Sequence, residues 1–181
     1  MNVNFLSNNP LNSVVEDAAT GRVLYNIVTP FKVGKRTTTI YDASGHEVAV
    51  YKHRWGHDQI ELRGQKMDAS GWLAKDGIFT SARRFVAPDG RLYVWKKLSG
   101  TSKFKLVARD SNNVVARSHG SRLGLFSSSR KMGIDMTAEA APILDAVLLS
   151  FIICEEKRRA QDSAAATSAA STAGASGGGA C

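Results

Sequence analysis

Apolar and polar residues alternate with a period of two through most of positions 1–137, and each alternating run follows a turn signal. Thr20-Gly21 precedes RVLYNIVT at 22–29, and Asp42-Ala43-Ser44-Gly45 separates TTTIYD from EVAVYK. Pro88-Asp89-Gly90 separates RRFVA from RLYVWK, and Asn112-Asn113 separates KLVARD from VVARS. Gly and Asn accept the positive φ that tight turns require, so these are hairpin signals. Weaker runs near 3–7, 13–17, 58–63, 71–75 and 131–137 bring the count to about a dozen short strands. With no helical period between them, the strands predict an antiparallel barrel or sandwich and not alternating βαβ units.

The pattern then changes. Residues 143–154 read ILDAVLLSFIIC, apolar at every position except Asp145 and Ser150, and EEKRRA follows with cations suited to a helix C-terminus. Pro142 fits a first helical turn, where its missing N–H costs little. A helix that is apolar all round must be enclosed by protein or by lipid. Twelve residues rise only about 18 Å, short of the roughly 30 Å hydrocarbon core, so a helix over 143–159 buried inside the protein is expected, with no transmembrane span. From Ala160 the chain reads AQDSAAATSAASTAGASGGGAC, too poor in apolar bulk to offset the entropy of ordering. The domain is therefore read as residues 3–160, with 161–181 as a disordered Ala/Ser/Gly-rich tail.

Composition narrows the class without giving a function. In 181 residues, 43% hydrophobic and 22% charged residues support a packed core and exclude wholesale disorder. Two cysteines, Cys154 and Cys181, exclude a disulfide scaffold. The opening MNVNFLSNNP has neither a basic nor an apolar signal region, so a cytoplasmic, reducing location is expected, with peripheral membrane contact allowed. The net charge of +8 asks for an anionic partner. That charge is concentrated: between Arg83 and Lys131 twelve cations face only Asp89 and Asp110.

About a dozen antiparallel strands followed by one apolar helix resembles the tubby-like barrel. That fold is shared by tubby C-terminal domains, phospholipid scramblases and plant LURP-one-related proteins. Three stretches, NPLNSVVEDAATGRVLYNIVTP at 9–30, ARRFVAPDGRLYVWK at 82–96 and ILDAVLLSFIICEEKRR at 143–159, are similar to the uncharacterised fungal domain-of-unknown-function family 6593 of that superfamily. The resemblance implies a barrel threaded by the terminal helix. It carries no assigned activity, and lipid binding enters only as a superfamily analogy.

Candidate ligand-binding residues follow from strand alternation. Arg91, Tyr93, Trp95 and Lys97 share one face of 91–97, while Lys103, Lys105 and Arg109 alternate with Phe104, Leu106 and Ala108. If these strands pair, they are expected to set cations, Lys96 among them, beside aromatic rings on the barrel's outer wall, a surface suited to phosphates, bases or sugars. In HGSRLGLFSSSRK at 119–131, Phe126 among apolar tips and the flanking Arg130 and Lys131 suit an anionic membrane surface. The bland alternatives are a solvated lysine face and loop side chains folded onto the body.

Other chemistry finds little footing. His53 and His57 have i, i+4 spacing, which suits a metal on a helix, but RWGH reads as a strand end and turn. Neither cysteine belongs to a CxxC pair, so no metal or other cofactor is expected. No GxSxG, GxxxxGK[ST] or strand–GxGxxG–helix motif occurs, and Asp58 and Glu61 do not share a strand face. The expectation is a non-enzymatic binding module that recognises anionic phospholipid through a basic wall. Nucleic acid or another polyanion is the alternative, then a protein-interaction scaffold; a small-molecule carrier with a site at the barrel mouth ranks below these. Oligomeric state is not legible.

Overall fold

The alternating runs become strands in the computed structural model of the chain, which describes residues 1–30, 36–54, 56–78, 80–120 and 131–173. The first seven strands are β1 (Asn2–Phe5), β2 (Ser13–Asp17), β3 (Val23–Val28), β4 (Arg36–Asp42), β5 (Glu47–His53), β6 (Gln59–Leu62) and β7 (Gln65–Asp68). The remaining six are β8 (Ala74–Lys75), β9 (Arg83–Val86), β10 (Leu92–Lys97), β11 (Phe104–Ala108), β12 (Val114–His119) and β13 (Met132–Met136). They form one antiparallel sheet in which sequence neighbours pair. A single long-range ladder, β1 on β13 with Asn2 opposite Asp135 and Phe5 opposite Met132, joins the two halves.

The expected turns form where the backbone needs them. Gly90 closes the β9–β10 hairpin at φ +78°, a conformation that costs glycine nothing. Gly133 answers a different need, because a Cβ there would lie 2.3 Å from the Val3 carbonyl oxygen and 2.7 Å from the His119 ring. The stretch near 71–75 corrects the sequence reading. Asp68 accepts hydrogen bonds from the Gly71 N–H (2.7 Å) and the Ser70 hydroxyl (2.5 Å), capping a four-residue helix, α1 (Ala69–Trp72), so only Ala74 and Lys75 remain as strand.

β7 and β8 are the two edges of the sheet, and no ladder joins them. The sheet is therefore open. Its inner face packs on α2 (Leu144–Ala173), with Val3, Phe5, Ile27, Ile60, Trp95 and Ile134 in one core with Leu148 and Phe151 of the helix. Every residue from Ile143 to Glu156 is buried; Leu148 is 0% and Phe151 2% exposed, so strands and not lipid enclose the apolar run. Among the described residues no helix is long and apolar enough to cross a membrane.

The two polar positions in that run are both satisfied. Trp95 Nε1–H donates to Ser150 Oγ at 2.9 Å, and Ser150 donates back to the Ala146 carbonyl at 2.6 Å. Asp145 accepts from the Tyr25 hydroxyl and from Arg63 Nε, each at 2.6 Å. The helix runs past the Arg159 end read from sequence, through 161–173 of the expected tail. Alanine's high helix propensity and the Arg158–Asp162 pair support that extension. Residues 174–181 lie outside the described residues.

Candidate anion-binding site

The inner face of β10 explains where the cations go. Tyr93 and Trp95 point into the core, 0% and 1% exposed, and the Trp95 ring lies tilted against Phe151 with ring centroids 5.9 Å apart. Lys97 lies on this same face, but beyond the end of the core, so its side chain reaches the mouth of the sheet. Register brings Arg83 of β9 opposite Trp95, and Lys75 of β8 opposite Arg83, extending the row. On the helix, burial ends after Glu156, and Lys157 and Arg158 emerge toward the same mouth.

These five cations line a cavity of about 320 Å³, floored by Phe104 and Cys154 and rimmed by Thr80, Ser81 and Gln161. Among the described residues no carboxylate lines it. Arg158 is neutralised by Glu155 at 2.7 Å and by Asp162, and Lys157 lies 3.7 Å from Asp58. Lys75, Arg83 and Lys97 have no ion-pair partner among the described residues; Arg83 donates only to the Leu73 carbonyl, at 3.3 Å. Burial pushes the Cys154 thiol up to about 12, against the opposing charges of Arg83 and Lys157, so at neutral pH it is an inert floor. Thr80 and Ser81 at the rim add hydroxyls beside the cations, a combination that suits phosphate oxygens.

Asp58 orders one side of this end. It accepts from the Tyr51 hydroxyl at 2.8 Å and lies 3.0 Å from His53 Nδ1. Burial alone would raise its carboxyl, but the hydrogen bonds from Tyr51 and the Arg54 N–H, with the charges of His53 and Lys157, outweigh burial and hold it below the usual carboxylate range. Burial and the Asp58 hydrogen bond together push the Tyr51 phenol well up.

The residues singled out from sequence separate into groups. Lys96, Lys105 and Arg117 stand directly opposite one another on β10, β11 and β12, with no carboxylate partner until Asp135 of β13 continues the row. This is the outer wall, but the expected rings are absent from it: Trp95, Tyr93 and Phe104 all face inward, because the shared face of 91–97 is the core face. Arg91, at the far end of that inner face, pairs with Asp110 at 2.7 Å and with Glu139, and sits over the Tyr93 ring. Arg109 is held by Asp76 at 3.1 Å, and Lys131 by Glu16 at 2.7 Å. Lys103 is exposed in the turn before β11. Phe126 and Arg130 lie outside the described residues.

Of the described members of the expected set, Lys97 alone reaches the cavity. Lys75, Arg83, Lys157 and Arg158 join it, and a signal for the helical pair was present: cations directly after an enclosed apolar run must stand at the mouth of whatever encloses it. Among the described residues no group of three or more His, Cys, Asp or Glu is placed to hold a metal ion.

An antiparallel sheet wrapped on one terminal helix, with cations gathered at one end, defines the class as mainly β. The family is shown by a family model that matches residues 8–160: the chain belongs to the Family of unknown function (DUF6593). No curated protein matches the chain. Among solved structures, the X-ray structure of a protein from Arabidopsis thaliana is similar to it at 16% identity, covering 83% of this chain and 88% of that one, with a TM-score of 0.46.

Proposed function

We propose that the protein is a binding module for a phosphate-bearing ligand, held in the mouth formed by Lys75, Arg83, Lys97 and Lys157, with the phosphorylated headgroup of a membrane lipid as the favoured source. The observation that carries this reading is the convergence of three cations without carboxylate partners on one concave, partly enclosed site. Like charges gathered around one concavity repel one another, and a polyvalent anion relieves that repulsion while forming charge-assisted hydrogen bonds. A cavity of about 320 Å³ matches a headgroup or sugar phosphate better than a whole lipid. The tubby-like barrel belongs to the same reading. The edge strands β7 and β8 are consecutive in the chain and are linked only by residues 69–73, so the open sheet is drawn together at that point.

The outer row of Lys96, Lys105 and Arg117 favours a second reading, a polyanion such as nucleic acid lying across three strands. Two double variants separate the readings. Arg83→Glu with Lys97→Glu should abolish flotation with vesicles containing phosphatidylinositol phosphates, while Lys96→Glu with Lys105→Glu should leave most of it. Soluble inositol phosphates should compete with the vesicles if the headgroup alone is read. Unchanged flotation in the first variant would remove the mouth from consideration. Loss confined to the second, with duplex binding that falls steeply with salt, would assign function to the wall.

A further inference from the structure

A second cavity, of about 500 Å³, opens near the start of the helix and shares no residue with the cationic mouth. It lies along the open side of the sheet, between the edge strand β7 and the end of β9. There the two-residue β8 pairs only with Arg83 and Arg84, leaving Phe85 and Val86 without an outer neighbour. Its walls are mainly apolar: Met67 of β7, Trp72 of α1, Val86 of β9, and Ile143 ahead of α2. Val86 is 54% exposed, and Met67 and Trp72 are only half-buried, so this apolar surface is open to an occupant.

One corner is polar, and its spare capacity is that of a donor. Both oxygens of Asp145 are engaged, Oδ1 by the Tyr25 hydroxyl and Oδ2 by Nε and Nη2 of Arg63. The third nitrogen of Arg63, Nη1, has no hydrogen-bond partner among the described residues, and the side chain is 69% exposed. Arg63 holds this position at φ +47°, where glycine or asparagine is the easier choice, with its N–H fixed on the Val48 carbonyl at 2.9 Å. The protein already shows one guanidinium serving two carboxylates, Arg91 between Asp110 and Glu139.

We infer that this cavity binds a small amphipathic carboxylate of the medium-chain fatty acid class. The alkyl chain lies between Met67, Trp72 and Val86, and the carboxylate accepts from Arg63 Nη1. The volume lies within the range of small-molecule sites, and mainly apolar walls, with the Arg63 guanidinium and the Gln65 amide on the polar side, match one chain and one acidic head. The site stands apart from the phosphate reading, and either can fail alone.

The test is a titration of the full chain with a dodecanoate brominated near its methyl end, below its micelle concentration, read by tryptophan quenching. Saturable quenching that Trp72→Phe largely removes is the expected result. Arg63→Gln should weaken the carboxylate by about tenfold or more while changing dodecanol much less, as a lost hydrogen bond to a charged group requires. Arg63→Gln also takes a partner from Asp145, so a second variant guards against misfolding. Val86→Trp, at an already exposed rim, should block calorimetric dodecanoate binding with the thermal transition intact. Quenching that does not saturate overturns the proposal. So does equal weakening of acid and alcohol by Arg63→Gln, or undiminished dodecanoate binding in a folded Val86→Trp.

Discussion

The two ends of the buried stretch of the helix, 143–156, handle charge differently. At the start, one carboxylate, Asp145, meets one guanidinium and one phenol, and both of its oxygens are engaged. Where that stretch ends, Glu155 is held by Arg158 and Arg159, each at 2.7 Å, and Glu156 pairs with Arg36. Those contacts neutralise the helix carboxylates there too. Yet Lys75, Arg83 and Lys97 are then added with no ion-pair partner among the described residues. Charge at the first end serves the fold, because it satisfies a buried carboxylate and a buried phenol. Charge at the second exceeds what the fold uses, and a surplus maintained against its own repulsion is where a ligand belongs.

The comparison breaks most directly at Asp145. Asp145→Ala leaves the Tyr25 hydroxyl buried without its acceptor and frees a largely exposed Arg63. We expect a loss of about 2–3 kcal/mol in urea unfolding, from the stranded hydroxyl and the lost charge-assisted bonds. Tyr25→Phe in the Asp145→Ala background should add little, since the partners form one unit. A loss below about 0.5 kcal/mol would mean that this end carries no structural charge and that the contrast between the ends is false.

Legibility in the sequence follows the range of each interaction. Hairpins such as β9–β10 were plain because alternation and the Pro88-Asp89-Gly90 turn are local. Enclosure of 143–154 followed from its lack of any polar face. The face of β10 was read correctly as a set, Arg91, Tyr93, Trp95 and Lys97, but assigned to the outside, because a period of two says which residues share a side and not which side is the core. Two large rings decide that, since Tyr93 and Trp95 bury more apolar area inward than Leu92 and Val94 would. Lys75 and Arg83 were silent for another reason: they join Lys97 only through ladder register, which no local window holds.

Acid titration sharpens the comparison at the far end. The Asp58 carboxyl sits below its ordinary 3.8 in the fold, so the unfolded chain binds that proton more readily. Its contribution is complete at neutral pH, begins to fall as pH approaches 3.8, and is gone once pH drops through the lower folded value. Asp58→Asn should therefore cost about 1 kcal/mol at pH 7, and little at pH 2, in urea midpoints measured across that range. Asp17, Asp42, Asp68 and Asp110 are lowered as well, so the variant should retain a shallower acid limb and not lose it. An unchanged limb would show that the Tyr51 and Arg54 hydrogen bonds, with His53 and Lys157, do not hold the Asp58 carboxyl down in solution.

The smallest effect is the most discriminating, because its sign is at stake. If Lys97 belongs to a surplus, Lys97→Ala removes repulsion and raises stability by a few tenths of a kcal/mol, near ~0.3, at low ionic strength. The gain should vanish in high salt, which screens the same repulsion. Added inositol phosphate should raise the thermal transition of the unsubstituted chain more than that of Lys97→Ala, since a ligand that binds only the folded state stabilises it in proportion to its affinity. A loss of about 1 kcal/mol or more on Lys97→Ala would place an anionic partner for Lys97 within the chain itself. Charge at both ends of the helix would then serve the fold, and the mouth would hold no surplus for a ligand to meet.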